Sequence, residues 1–207
     1  YGSEKFVPGF TPEFLKNAIT GIDASKLPLQ EGQTIEQFCE EIFPVIFDPK
    51  VMPKRVNQAA GEDLVLTSAS NYYEGVTQKE AEDYYNKLKN PADSFPVMFG
   101  MNSRLVKEDE IIKEKVWKVG GLYSPAIEKI VYWLEKAATV AEDAHQKSVI
   151  EKLIQFYKDG NLKTFDDYCI LWVKDLAPRV DFVNGFTESY GDPLGKQAGN
   201  LLLTLKI

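Results

Sequence analysis

Three apolar stripes at helical spacing follow one another in the second half of the chain, and they constrain its fold more than any other feature. The first stripe begins at Ser124-Pro125, the second occupies about residues 145–158, and the third begins at Thr164 and stops before Pro178. Apolar side chains that recur every three or four residues mark the buried face of a helix. The loops between these stripes are short, and helices joined by short loops pack antiparallel. The pattern therefore predicts three packed antiparallel helices within residues 122–175.

Residues 1–100 are also predicted to be mainly helical, because polar side chains stand where helices begin. Thr11-Pro12 combines a capping residue with a proline that suits the first helical turn. The stretches Thr34–Gln37 and Thr77–Glu80 have the spacing of capping boxes, in which two residues satisfy each other's free backbone N–H groups. Pro44 lies inside the helix that begins at Thr34, and we expect it to kink or shorten that helix.

The β-structure is predicted to be small. Residues 103–119 have strand propensity on both sides of a charged turn at 108–110, which is typical of a hairpin. A last strand is predicted over residues 179–190. The fold class is therefore α+β, mainly helical with a small antiparallel β element. The length of the chain suits one domain or two small ones, and we expect a single domain or lobe fragment over residues 1–207.

Composition and charge argue against two classes of partner. The net charge is −7, with both signs interspersed, whereas a protein that binds nucleic acid needs a basic patch. No apolar run approaches the ~18–20 residues that a membrane-spanning helix needs. The first residues contain neither Met nor an apolar signal core, so we expect any targeting segment to have been removed. The compartment is not defined: the cytoplasm is favoured, with a processed secreted form as the alternative.

Cysteine and histidine are scarce. Cys39 and Cys169 lie in helical patterns, which favours two free buried thiols over a disulfide. His145 is the single histidine, and an HExxH zinc motif needs two histidines on one helical turn. We therefore expect no metal site in this chain. The position of His145 suits a cap or a surface residue, and a general base without a catalytic partner is the alternative.

Residues 185–193, Gly-Phe-Thr-Glu-Ser-Tyr-Gly-Asp-Pro, contain the best candidate site residues. Glu188 and Tyr190 stand two positions apart in the predicted last strand, where alternate side chains share one face. That face is partly aromatic, and a carboxylate in such surroundings binds a cation strongly because little water screens it. A free peptide N-terminus is such a cation. The alternative is a strand that ends in a Gly-Asp-Pro turn, with Glu188 exposed to solvent.

Four stretches together resemble the dipeptidyl peptidase III family of zinc peptidases. The strongest is residues 185–193, which is similar to the family segment Gly-Phe-x-Glu-Ser-Tyr-x-Asp-Pro. The other three occur in the order of the family, and they are residues 71–77, 102–107 and 123–131. The resemblance extends over residues 60–195 and continues more loosely over residues 1–60.

The resemblance implies that the parent protein removes dipeptides from the free N-terminus of short peptides. It implies that Glu188 binds the α-ammonium group of the substrate. Tyr190 is implied to bind substrate and to act catalytically, as a hydrogen-bond donor near the scissile bond. In the family, zinc is held by an HExxGH motif and a later Glu on a helical lobe further along the chain. This chain contains neither, so we expect part of the non-zinc lobe, inactive alone, whose partners are short peptides and the missing C-terminal zinc-binding lobe.

Two departures and two alternatives accompany this interpretation. Position 191 is Gly where many family members have Arg, and the zinc half of the family sequence is missing. One alternative is a non-enzymatic helical interaction module, which a flat and solvated Glu188 would favour. The other is a metal-free hydrolase with paired carboxylates, which needs a second acidic residue within several Å of Glu188.

Residues 197–207 form an atypical tail that does not resemble the family. Codons for residues 198–207 can be chosen so that a shift of one base yields Ser-Trp-Glu-Ser-Ile-Val-Asn-Phe-Lys-Asp. Family members have an acidic and aromatic stretch of this kind at that place. We therefore hypothesise a change of reading frame near Lys196, which the DNA sequence of the gene tests.

Overall fold

The computed structural model describes residues 4–176, 178–187, 191–196 and 200–206, with the backbone alone for 183–187 and 200–206. The chain divides into two compact units, Tyr1–Ala69 and Ser70–Ile207. Helices predominate over strands in the described residues, so the predicted α+β class, mainly helical with a small β element, is confirmed. The assignment of the whole chain to a single domain or lobe fragment stays a prediction.

The first unit contains two capped α-helices. They are α1, Pro12–Thr20, and α2, Ile35–Phe47, and a short 3₁₀ turn at Ala24–Lys26 lies between them. The capping box predicted at the start of α2 is confirmed, because Gln37 accepts the Thr34 backbone N–H at 2.9 Å and the Thr34 hydroxyl accepts that of Gln37 at 3.2 Å. The helix continues through Pro44 to Phe47, so this proline does not end it.

A three-stranded sheet lies in the second unit, with strand order β1-β2-β3. The strands are β1, Tyr73–Glu74, β2, Ser103–Glu108, and β3, Ile111–Val116. Strands β2 and β3 form the predicted antiparallel hairpin. Its two turn residues, Asp109 and Glu110, both have positive φ, as a type I′ turn requires. Strand β1 runs parallel to β2, and this pairing was not predicted because two residues are too few to show a period.

Helix α3, Gln78–Leu88, lies between β1 and the hairpin in the order of the chain. It begins at the second predicted capping box, at Thr77 and Glu80, which is also confirmed. Tyr85 of α3 is fully buried. Gly100 faces its ring: the residue has a φ of 90°, and a Cβ placed there would lie 2.9 Å from the Tyr85 phenol. Only glycine combines that backbone conformation with so close an approach.

The three helices predicted within residues 122–175 are α4, Ser124–Ala138, α5, Ala144–Asp159, and α6, Leu162–Trp172. Helix α5 packs against both of the others. The buried core includes Ile127, Val131, Leu134, Val149, Ile150, Leu153, Phe156 and Tyr168. Gly160 ends α5 in the left-handed conformation, and its carbonyl accepts the side-chain amide of Asn102 at 2.9 Å. This bond joins the helices to the hairpin.

The second sheet has two antiparallel strands, β4, Asp181–Thr187, and β5, Asn200–Lys206. Asp181 pairs with Lys206 at one end of the ladder, and Thr187 pairs with Asn200 at the other. Strand β4 lies within the predicted strand 179–190, whose last three residues lie outside the described part. The atypical tail contributes β5, and the reading-frame hypothesis stays a prediction.

Two smaller expectations concern single residues and membrane spans. Cys39 and Cys169 are free thiols, as predicted, the first buried and the second half-buried. Within the described ranges, no helix combines the length and the apolar character that crossing a bilayer requires.

Candidate functional site

Glu188 and Tyr190, the two predicted site residues, lie outside the described residues. Their common face and the burial of Glu188 therefore stay predictions. The structure does describe both flanks of the segment that carries them. These flanks are the approach at residues 178–182 and the turn at residues 191–196. Each flank is hydrogen-bonded to another part of the second unit, and these bonds fix the two ends of the segment in the chain.

Glu142 fixes the first part of the approach. This residue stands just before α5, and its carboxylate accepts the backbone N–H groups of Arg179 and Val180 at 3.2 and 2.9 Å. These two hydrogen bonds are the main reason that the pKa of Glu142 is lowered from its ordinary value. The carboxylate therefore stays ionised at neutral pH and keeps the chain entering β4 close to the helices.

Two further side chains bond the backbone just before and within β4. The Gln146 amide, in the first turn of α5, donates to the carbonyl of Val180 at 3.0 Å. The Trp172 indole, at the end of α6, donates to the carbonyl of Phe182 at 2.9 Å. The Phe182 side chain packs against the helical core. The helices thus determine where β4 starts.

The buried carboxylate of Asp192 organises the turn at residues 191–196. One of its oxygens accepts the backbone N–H of Leu194 at 3.0 Å, and the other accepts that of Lys196 at 2.6 Å. The Tyr73 hydroxyl donates to the same carboxylate and lies 2.9 and 3.1 Å from the two oxygens. Asp192 is only 6% exposed, and a buried carboxylate is costly unless such donors surround it. The turn is therefore bonded to β1.

Two buried tyrosines contact this turn from the side of the three-stranded sheet. Burial, and then the negative charge of Asp192, raises the pKa of Tyr73 far above its ordinary value, so its hydroxyl remains a donor. The Lys196 ammonium group lies 5.3 Å from the centroid of the Tyr85 ring, in a cation–π contact. A cavity of about 440 Å³ adjoins Tyr85, Lys196 and the loop at residues 89–99.

The residues that the structure describes do not fit a zinc site. They contain no group of three or more His, Cys, Asp and Glu side chains that could hold a metal ion. The Nε2 atom of His145 lies 3.1 Å from the carbonyl oxygen of Leu171 and so links the start of α5 to the end of α6. Zinc favours nitrogen and sulfur ligands, and the two cysteines lie far apart in sequence, in α2 and α6.

The contact between Tyr73 and Asp192 was not predicted. The two residues are 119 positions apart, and no local period relates them. Each does lie in a stretch that resembles the dipeptidyl peptidase III family, the first in residues 71–77 and the second in residues 185–193. The presence of both residues in stretches that resemble the family was the signal available in the sequence. It does not show that these two residues contact each other.

Comparison with known proteins identifies the family. The model of Peptidase family M49 matches residues 50–200, which is most of the chain. This chain belongs to peptidase family M49. The matched range includes Glu188 and Tyr190 as well as Tyr73 and Asp192, so the resemblance noted from the sequence is confirmed.

Other members of peptidase family M49 align with nearly all of this chain. Dipeptidyl peptidase 3 of Rattus norvegicus is 25% identical over 218 residues, which cover 95% of this chain and 29% of the rat protein. The Homo sapiens protein of the same name is also 25% identical, with the same two coverages. Dipeptidyl peptidase 3 of Dictyostelium discoideum is 32% identical over 94% of this chain and 28% of its own length. The chain thus spans less than a third of these M49 relatives.

A solved structure shares the fold. The structure of DPP III from Caldithrix abyssi superposes with a TM-score of 0.50 at 16% sequence identity, covering 95% of this chain and 34% of that chain. Identity this low supports the fold of this M49 chain and carries no statement about its chemistry.

Proposed function

We propose that this M49 chain is the substrate-binding part of a zinc-dependent dipeptidyl peptidase, which removes dipeptides from the N-terminus of short peptides. The observation that carries the proposal is the family match over residues 50–200, because that range contains the motif at 185–193. The relatives named Dipeptidyl peptidase 3 support the same activity. The zinc belongs to a C-terminal lobe, and the chain alone is part of the non-zinc lobe, without peptidase activity.

Glu188 binds the α-ammonium group of the peptide in this proposal. An ion pair with an ammonium group is stronger where the surroundings contain little water. Binding of this ammonium group would fix the distance between the free end of the peptide and the bond that is cleaved. Removal of a dipeptide requires that distance to be fixed. Acetylation of the peptide N-terminus removes the charge that Glu188 would bind.

Tyr190 donates a hydrogen bond to the oxygen of the scissile carbonyl in this proposal. Negative charge develops on that oxygen as the carbonyl is attacked, so a fixed donor stabilises the transition state more than the ground state. A donor is effective only when it is held in place. The bonds of Glu142 on one flank and of Asp192 on the other support such a fixed position.

The test is calorimetric titration of the 207-residue chain with a tetrapeptide that has a free N-terminus and with its N-acetylated form. Loss of one charge-assisted hydrogen bond weakens binding about tenfold or more, and we expect the acetylated peptide to show this loss. We expect Glu188→Gln to weaken binding of the free peptide by a similar factor. Glu151→Gln is the matched control, because Glu151 lies on the exposed surface of α5. Equal affinities for the two peptides would rule out the role of Glu188.

The pH dependence of binding gives a second check. A peptide α-amino group loses its proton at about pH 7.7–8.0. Affinity for the free peptide should therefore fall as the pH rises through that range, while affinity for the acetylated peptide should not change. A free peptide that binds equally at pH 6 and pH 9 would contradict recognition of the ammonium group.

The activity of the isolated chain provides a third check. We expect no release of dipeptides from peptide substrates, with or without added zinc. A preparation of the 207-residue chain that contained stoichiometric zinc and cleaved dipeptides would refute this expectation. Absence of peptide binding altogether would instead favour the interaction-module alternative.

A further inference from the structure

We propose that Tyr73 and Asp192 form a latch that positions residues 188–190 for substrate. The inference rests on the proposed function, in which those residues bind the peptide. Tyr73 is in this view a positioning residue, which acts through Asp192 and does not touch the substrate. The latch consists of the Tyr73 hydroxyl, the Asp192 carboxylate and the two backbone N–H groups that this carboxylate accepts.

The bonds of the latch suit a fixed attachment. Hydrogen bonds to an ionised carboxylate are roughly twice as strong as those between neutral groups. Both partners are buried, with Tyr73 8% and Asp192 6% exposed, so water competes little for them. The Tyr73 hydroxyl is attached to a rigid phenol ring, which holds the donor in one place.

The element that carries Tyr73 is itself well anchored. Tyr73 pairs with Leu105 of β2, and the Leu105 backbone N–H donates to the carbonyl of Tyr72 at 2.9 Å. Leu105 and its neighbour Val106 are fully buried. Four residues after Tyr73, the capping box at Thr77 begins α3. Because β1 is held in this way, the contact between Tyr73 and Asp192 fixes the turn at residues 191–196 relative to the three-stranded sheet.

Chain connectivity relates the turn to the proposed site residues. Tyr190 is two positions before Asp192, and Glu188 is four positions before it. The turn that Asp192 organises therefore follows both residues closely along the chain. Strand β4 holds the other end of this short segment at Thr187. Release of the latch would therefore free the turn that directly follows residues 188–190 in the chain.

The first test needs no peptide. Hydrogen–deuterium exchange of the Leu194 and Lys196 amides in the full chain reports whether the turn opens. We expect Tyr73→Phe to accelerate exchange of both amides about tenfold, because it removes one hydrogen bond to a charged group. Tyr132→Phe, in which a half-exposed phenol on α4 loses its hydroxyl, is the matched control and should leave them unchanged. The amides of Val149 and Leu153 report global opening, so exchange of the two turn amides that is faster than theirs shows that the turn opens without unfolding of the core.

The second test measures peptide affinity. Tyr73→Phe should weaken binding of the free tetrapeptide about tenfold, and Tyr132→Phe should not. Asp192→Asn supplies an amide nitrogen where the carboxylate accepted an N–H group, so it should also loosen the turn. In the Asp192→Asn background, the further change Tyr73→Phe should have little effect, because two residues of one network are not additive. Asp192→Asn replaces Tyr73→Phe in both tests if the latter variant does not fold.

Three results decide the matter. Unchanged exchange of Leu194 and Lys196 in Tyr73→Phe would overturn the latch. Accelerated exchange with unchanged peptide affinity would overturn its positioning role. If the wild-type chain binds no peptide, the proposed function fails separately, and the exchange measurement still shows whether the latch holds the turn.

Discussion

The helical core of the second unit and the latch are both buried, but they are stabilised by different interactions. Val149, Leu153 and Phe156 are fully buried among apolar neighbours of α4, α5 and α6. The latch buries a phenol and a carboxylate instead. Burial of apolar area is favourable whatever the direction of the contact, whereas a hydrogen bond is favourable only at one distance and angle.

This difference indicates what each region contributes. The helical core supplies most of the free energy of folding, because that energy scales with the apolar area removed from water. The latch contributes less net free energy, since its partners would bond to water in the unfolded chain. It contributes geometry instead, because the turn at residues 191–196 can occupy only the place that the bonds allow.

The largest expected effect is in the core. Leu153→Ala should lower the free energy of unfolding by about 2–5 kcal/mol, because it removes a fully buried side chain and leaves a cavity. Leu176→Ala is the same change at a residue that is 88% exposed, and it should alter stability by no more than ~0.5 kcal/mol. Urea denaturation measures both. Equal effects would contradict the assignment of the core.

A smaller loss is expected from the latch. Asp192→Ala removes the acceptor of the Tyr73 hydroxyl and of two backbone N–H groups, so it should cost about 1–3 kcal/mol. Asp167→Ala, at a half-exposed position of α6, is the control and should cost no more than ~0.5 kcal/mol. The same denaturation experiment applies. A loss from Asp192→Ala as large as that from Leu153→Ala would erase the distinction between the two regions.

Alkaline pH probes one tyrosine of each region. Burial is the main cause that raises the pKa of both Tyr73 and Tyr157 well above the ordinary value of 10.0. Above pH 10 the unfolded chain loses these protons while the folded chain keeps them, so stability should fall as the pH rises. Each such tyrosine should add about 1.4 kcal/mol per pH unit to the slope.

Stability measured from pH 9 to pH 11.5 tests this expectation. Tyr157→Phe and Tyr73→Phe should each reduce the slope by the contribution of one proton, whatever they do to stability at neutral pH. A wild-type slope that no tyrosine variant reduced would show that other groups cause the alkaline loss.

The smallest effect concerns two capping boxes that differ in charge. The pKa of Glu80 is lowered to about 2, first by the Thr77 backbone N–H group and then by Lys107. A carboxylate with a lowered pKa stabilises the folded state above its ordinary pKa of 4.5, and this contribution is lost as the pH falls towards 2. Gln37, at the same place in α2, does not titrate.

Amide exchange at Thr77 and Thr34 between pH 5 and pH 2 distinguishes the two boxes. After correction for the intrinsic pH dependence of exchange, protection at Thr77 should decrease and protection at Thr34 should not. Glu80→Gln should make Thr77 behave as Thr34 does. An equal decrease at both positions would indicate general acid unfolding.

Local features of the sequence were predictable because their partners are close along the chain. The capping box at Thr34–Gln37 joins residues three positions apart, and the apolar stripe of α4 repeats every three or four residues. The hairpin required only a short turn between two strand-forming runs. In the candidate site, the motif at 185–193 was recognised as a resemblance of consecutive residues.

Other features were not predictable because each depends on a distant partner. The bonds of Glu142 to the approach of β4 join residues 37 and 38 positions apart. Neither an apolar period nor a capping motif in the sequence predicts such a contact.

The sequence by itself determined the helices, their caps, the hairpin and membership of the M49 family, because these depend on interactions or patterns within short stretches. Only the tertiary structure decided that Tyr73 would meet Asp192, and that α5 and α6 would hold the start of β4. A contact across 119 residues is stable only where the rest of the fold offsets the entropy of closing that loop. Its partners are therefore chosen by the packing of the whole unit.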